Sequence, residues 1–233
     1  MSLNRDLRLF RILMGALSLC VFASLWPNWE LYFSAALYPS KHTLIQNFLQ
    51  QALGLHIGVV VSGLLILGIF PRLCCLILWL MLWGLAILHP SVMTSADEIL
   101  RMFLFLSIWA PLWLQRFSFL SIYVAGAIGK IVTGSAWLQG TALAAIMVDP
   151  NWGRFVPGSL DAYSGPIAIA NYLVLGFEIL FPVLIISGRL RWPVILMAFL
   201  FHLSIALLMK NLMLFSFAMI CGLALFAPRA RRP

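Results

Sequence analysis

The chain has 233 residues, 63% of them hydrophobic and 9% charged, with a mean hydropathy of +1.03; soluble domains run near half apolar and a quarter charged, so a water-soluble globule is excluded and a polytopic membrane protein is implied. The formal net charge of +8 does not point to nucleic acid, because the arginines stand singly between long apolar runs, the pattern of a membrane topology signal and not of a basic binding face.

Crossing the hydrocarbon core takes about 17 to 25 helical residues. On that rule the sequence predicts an all-α transmembrane bundle with helices near 9–26, 50–70, 73–89, 98–115, 117–133, 166–187, 191–209 and 211–227. The first run, RILMGALSLCVFASLW, follows arginines as a signal peptide would, but no small-residue cleavage site comes after it, so it reads as the first membrane helix. Polar or proline-bearing junctions, FPRLC at 70–74, LQRF at 114–117 and SGRLRWP at 187–193, predict tight hairpins between antiparallel neighbours. Placing the N-terminus in the cytoplasm puts Arg5, Arg8, Arg11, Arg72, Arg116, Arg189, Arg191, Arg229, Arg231 and Arg232 on the cytoplasmic side, and only Lys41, Arg154 and Lys210 opposite. Both termini are then cytoplasmic, and the exoplasmic segments 27–49 and 134–165 carry Trp26, Trp29, Tyr32, Tyr38, Trp137, Trp152 and Tyr163, aromatics suited to a headgroup interface. The chain reads as one transmembrane domain without internal repeat or separate luminal domain. Cys20, Cys74, Cys75 and Cys221 show neither C-x-x-C nor Cys/His ligand spacing, so neither a disulfide framework nor a metal site is indicated.

Ionisable residues inside spans cost at least about 2.5–3.5 kcal/mol at mid-depth, so each needs a partner or a function. Lys130, one of only three lysines, is expected roughly one turn below the exoplasmic end of its helix, and Arg101 at a similar depth in its own. His56 and His202 fall about 10 Å below that end, Asp97 and Glu98 at the rim, and Glu178 deeper, roughly 18 Å from the start of its helix. Each has a plain structural reading. Lys130 can snorkel to the interface, Glu98 and Arg101 can pair at i, i+3, the histidines can tie helices together, and His89 beside Pro90 can sit at the interface. Nucleotide-binding loops, G-x-S-x-G and H-E-x-x-H are absent.

Five stretches, FRILMG at 10–15, LGIFPRLCCLILWLMLW at 67–83, SADEILRMFLFLSIWAPL at 95–112, YVAGAIGKIVTGSAWLQGTAL at 123–143 and VLGFEILFPVLIISGRLRWPVILMAFLFHLSIALL at 174–208, occur in the order of the horizontally transferred transmembrane (HTTM) family, which the chain resembles over nearly its whole length. This is the membrane part of the vitamin K-dependent gamma-carboxylases. The most specific piece is Lys130 followed by Trp137 and Gly140. The resemblance implies that Lys130 matches the base that deprotonates reduced vitamin K, that His202 supports a quinol oxygen, and that His56, Asp97, Glu98, Arg101, Trp137 and Glu178 flank the site. It further implies a lipid-soluble cosubstrate such as reduced vitamin K or menaquinone. Two departures stand out: where the carboxylases have an asparagine and histidine pair, this chain has Thr94 to Glu98, and the large luminal domain of the animal enzymes has no counterpart in these 233 residues.

The expectation is therefore a gamma-carboxylase-like enzyme of the bacterial cytoplasmic (inner) membrane, acting on an exported peptide or other exoplasmic substrate. Three other readings compete with it: a non-catalytic maturation, immunity or assembly partner, a quinone-linked subunit of the DoxX or MauE kind, and a transporter.

Overall fold

The computed structural model of the protein describes residues 7–28, 53–88, 93–156, 158–187 and 190–227. The expectations for Arg5, Trp29, Tyr32, Tyr38, Lys41, His89, Arg189 and the three C-terminal arginines lie outside the described residues.

Every described element is helical apart from one isolated bridge between Gly153 and Met209. In chain order we label α1 (Arg8–Leu25), α2 (Leu53–Leu67), α3 (Pro71–Leu88), α4 (Ser95–Trp109), α5 (Leu112–Thr133), α6 (Ser135–Leu138), α7 (Ala142–Val148), α8 (Ser164–Ile186), α9 (Arg191–Leu208) and α10 (Met213–Leu223). Five of the helical runs, Arg8–Leu25, Pro71–Leu88, Leu112–Thr133, Asp161–Ile186 and Arg191–Leu208, are long and apolar enough to cross a membrane. Val183, Ile186, Leu196 and Leu207 stand more than half exposed, an apolar surface that belongs in lipid and not in water. The chain is thus an integral membrane protein in its makeup.

One predicted junction is displaced. Hydropathy puts the turn between the fourth and fifth helices at LQRF, 114–117, whereas the helix breaks at Ala110 and Pro111 and α5 then runs unbroken past Arg116. The cause is local. The residue before a proline is pushed out of the helical region, and Ala110 is extended (ψ 141°). Pro71 acts differently, at the first position of α3, where its missing N–H is no loss. The turn before it is closed by Gly68 (φ +80°), whose N–H bonds Leu65 at 3.1 Å while Ile69 bonds Leu64 at 3.0 Å, a Schellman arrangement.

The chain divides into two compact units, residues 1–115 with 217–233, and residues 116–216. In the first, α1 lies against α2 and α4, and α3 bridges α2 and α4. Its centre is Phe10, Met14, Leu17, Phe22, Leu78, Leu82 and Phe103, with Phe10 and Phe103 edge to face at 5.2 Å. Gly15 sets the α1–α2 spacing, since a Cβ there would sit 2.6 Å from the Ile66 side chain, the close approach that small residues permit between membrane helices. Ser18 and Ser62 are fully buried and donate back to the carbonyls of Met14 and Gly58, so neither hydroxyl is left unmet in an apolar core.

In the second unit α8 packs against α6, α7 and α9. An aromatic cluster of Phe119, Tyr123, Phe177, Phe181 and Phe201 fills it, with Tyr123 and Phe181 centroids 4.3 Å apart. Segment 134–165, expected as an exoplasmic connection, is largely ordered. The loop after α7 is clasped to the turn after α9 by the Lys210 N–H to the Trp152 carbonyl (2.7 Å) and by Asn211 Nδ2 to the Asn151 carbonyl (3.1 Å).

Candidate functional site

The site grows from the end of α5. Lys130 stands in the last turn of that helix, where a cation suits the negative end of the macrodipole. Gly134 then breaks the helix and α6 turns back over it. A Cβ on Gly134 would lie 2.6 Å from Trp137 Cδ1, so glycine is what lets the Trp137 ring fold beneath the lysine, with Lys130 Nζ 5.1 Å from its centroid. That distance is within cation–π range. Gly140 ends α6 with φ +77°, and a Cβ there would press on the Tyr172 hydroxyl at 3.1 Å. Lys130, Trp137 and Gly140, spaced seven and three apart in the sequence, therefore make one local structure: cation, aromatic platform, and the turn that sets the platform.

Helix α8 supplies the other wall. Asn171 is fully buried and uses both ends of its amide: Nδ2 donates to the Trp137 carbonyl (2.8 Å) and Oδ1 accepts from the Leu143 N–H (3.1 Å). These are a carbonyl from the last turn of α6, otherwise held only by the Gln139 and Gly140 amides that follow it, and an amide from the first turn of α7, where a helix offers no acceptor of its own. Tyr172 adds a hydroxyl bond to the Leu138 carbonyl at 3.1 Å. Seven residues on, on the same face, Glu178 receives Lys130: Nζ lies 2.7 Å from Oε1 and 2.6 Å from Oε2. Pro182, inside α8, has no N–H to offer the Glu178 backbone carbonyl four residues earlier.

Lys130 and Glu178 meet because the first turns of α8 run alongside α6 and α7. Depth counted from the helix ends places Glu178 well below the lysine, but α8 begins beyond the end of α5, and that offset removes the difference. Snorkelling does not describe Lys130, whose amine is turned onto a carboxylate.

The pair lies on the wall of a cavity of about 800 Å³. Its other lining is almost wholly apolar, with Trp137, Trp152, Phe177, Phe201 and Phe215 presenting rings and Leu143, Ile146, Leu200 and Leu208 presenting aliphatic surface; Ser204 is the remaining polar side chain. That volume suits a ligand of drug size.

His202 is not among the lining residues. It is 2% exposed, its Nε2 is 2.7 Å from the Tyr123 hydroxyl, and its ring packs against Phe201 and Phe215, which do line the cavity. Nδ1 is buried without a partner among the described residues. Which nitrogen carries the proton follows from which partner donates. Tyr123→Phe leaves both ring nitrogens unmet, so we expect a loss of about 1–3 kcal/mol, seen as a lower melting temperature in detergent, with no loss in Tyr172→Phe beyond that of one exposed bond.

The remaining candidates lie in the first unit. Asp97 is spent on capping α4, its Oδ2 accepting the Thr94 N–H (2.7 Å) and hydroxyl (2.8 Å). Glu98 is exposed, and no ion pair joins it to Arg101, whose Nε is buried without a hydrogen-bond partner among the described residues. His56 stands on α2 with its ring 5.3 Å from Trp26. Tyr123, Asn171 and Pro182 escaped the sequence reading, although a signal was present: Tyr123 and Lys130 on α5, and Asn171 and Glu178 on α8, are each seven residues apart and so share a face.

No protein-family model, curated protein or solved structure matches this chain.

Chemically, the pair is neutral as a whole. Two of the three ammonium hydrogens point at Glu178, and the carboxylate keeps lone pairs that the lysine does not use. A hydroxyl entering the cavity can accept the third ammonium hydrogen and donate to the carboxylate at once. A group that only accepts would face the carboxylate's charge.

Proposed function

We propose that this protein is an enzyme of the carboxylase-like HTTM kind, with eight spans and both termini on the cytoplasmic side of a bacterial inner membrane, that deprotonates a lipid-soluble quinol in the cavity beside Lys130. The observation that carries the proposal is a lysine and glutamate pair set into the wall of a large apolar cavity, where a ligand's polar head could use the donor and acceptor that the pair's own contacts leave over. Reduced vitamin K or menaquinone has the required chemistry, an apolar body with a hydroxyl that can lose a proton. Lys130 is the base that the family resemblance names; the two short contacts to Glu178 make the pair the acting unit, with Glu178 receiving the proton and the Lys130 ammonium holding the oxygen left behind. Low dielectric around the pair strengthens that hold. His202, tied to Tyr123, supports the aromatic wall. An exported peptide is the proposed acceptor of the chemistry on the exoplasmic side.

A second reading has one observation in its favour: Lys130 and Glu178 satisfy one another, as a purely structural tie would, which fits a non-catalytic maturation, immunity or assembly partner. Quinol oxidation in nanodiscs, with reduced menaquinone or vitamin K and oxygen, separates them. Turnover in the wild type that falls at least a hundredfold in Lys130→Ala, and less in His202→Ala, is expected. Wild-type protein that is folded and inert toward both quinols would end the enzyme reading.

A further inference from the structure

A second cavity, of about 200 Å³, lies wholly within the first unit, among the N-terminal ends of α1 and α3, the C-terminal end of α4 and the start of α5. At roughly 30 Å³ of liquid volume per water it has room for a few small groups, not for a ligand of drug size. Two arginines line it, Arg11 from α1 and Arg72 from α3, and the lining carries no carboxylate. Arg11 is folded over the α2–α3 turn, so close that a Cβ on Gly68 would lie 2.5 Å from its guanidinium, and its Nε is buried without a hydrogen-bond partner among the described residues. Two cationic side chains thus border one small space with no anion among its described lining residues to answer them.

Another lining residue asks for something else. Gln115 is 3% exposed; its Nε2 donates to the Ala110 carbonyl at 3.1 Å, which fixes the orientation of the amide. Oε1 then points the other way, buried and without a donor among the described residues. A phosphodiester group, which carries no P–OH, would satisfy the arginines and by itself leave this oxygen unmet. The complement is a ligand that brings an anion and a hydrogen-bond donor together within a few bonds.

We propose that this cavity binds a phosphate ester with a hydroxyl or ammonium on its alcohol, Arg11 and Arg72 holding the phosphate and Gln115 Oε1 accepting from the head. Arginine suits the phosphate because its planar fork can give two parallel bonds. For a chain built to lie in a bilayer, the nearest such molecule is a phospholipid with a glycerol or ethanolamine head, at the level where helix ends meet headgroups. A choline head offers no donor and is discriminated against at Gln115. A soluble ester such as glycerol 3-phosphate shares the chemistry without the acyl chains.

The test uses the full chain, delipidated in detergent and titrated calorimetrically with short-chain phosphatidylglycerol, phosphatidylethanolamine and phosphatidylcholine and with glycerol 3-phosphate. The glycerol or ethanolamine lipid is expected to bind about tenfold or more tighter than the choline lipid, the worth of one bond to a buried acceptor. Arg72→Gln, at an exposed side chain with no structural bond, should weaken all three lipids about tenfold or more, and Arg72→Lys should recover part of that. Gln115→Leu should erase the preference over choline while leaving choline binding unchanged. Glycerol 3-phosphate binding as tightly as the glycerol lipid, with the same dependence on Arg72, upholds the site and assigns its ligand to the aqueous phase. Equal binding of the three lipids by the wild type, or unaltered binding by a correctly melting Arg72→Gln protein, overturns the proposal.

Discussion

Glu178→Met alone is expected to destabilise the protein by about 3–5 kcal/mol, and the Lys130→Met/Glu178→Met double variant to recover most of that loss. The two side chains are only 21% and 13% exposed, so either one alone is an uncompensated charge against apolar surface, whereas two methionines fill similar volume and leave nothing to solvate. Thermal unfolding of the two single variants and the double variant in one detergent gives the coupling directly. A sum of the single losses in the double variant would mean that the two groups act independently, against the bidentate geometry. The double variant also divides stability from chemistry: a protein that melts like the wild type yet oxidises no quinol locates the activity in the pair, and one that keeps its turnover removes the pair from the mechanism.

Hydropathy placed the five helical runs that are long and apolar enough to cross a membrane, because apolar runs of that length admit few other readings. It misplaced the α4–α5 turn because LQRF looks more polar than WAPL, while the backbone answers to Pro111 and not to polarity. The cation and platform of the site were legible as well: a lysine in a span needs a reason, and Trp137 and Gly140 follow at short range. The partner was not. Matching Lys130 to Glu178 requires knowing where α8 starts relative to α5, which is set by α6 and α7, two helices of four and seven residues inside a stretch that composition presents as a connection. Helices that short are marginal by themselves and exist here because Asn171 and Tyr172 satisfy their ends. Asp97 illustrates the opposite error: an acidic residue at a span's rim drew attention as a site residue, and its observed bonds are those of a helix cap three residues from Thr94.

The dependence of α6 and α7 on one amide makes Asn171→Leu the sharpest test of how the site is held. Leucine has the same number of side-chain heavy atoms and is compatible with the helix, so hydrogen bonding is the main loss. The Leu143 N–H is left without its acceptor, and the Trp137 carbonyl keeps its backbone contacts from Gln139 and, at 3.4 Å, from Gly140. At about 1–3 kcal/mol for a group left unmet, the Leu143 N–H puts roughly 1–3 kcal/mol at stake, comparable with the local stability of two short helices. The expected result is local: amide hydrogen exchange in 135–148 accelerates by about a hundredfold, while the amides of α1 and α2 keep their protection. Asn171→Asp should fall between, retaining an acceptor for Leu143 and losing the donor to Trp137. Because Trp137 is the platform under Lys130, the same variant should weaken quinol binding while the ion pair to Glu178 persists, so affinity falls and the Lys130/Glu178 coupling energy does not. Unchanged exchange across 135–148 would show that α6 and α7 are held by packing on α8, and that the buried amide is incidental to the cavity.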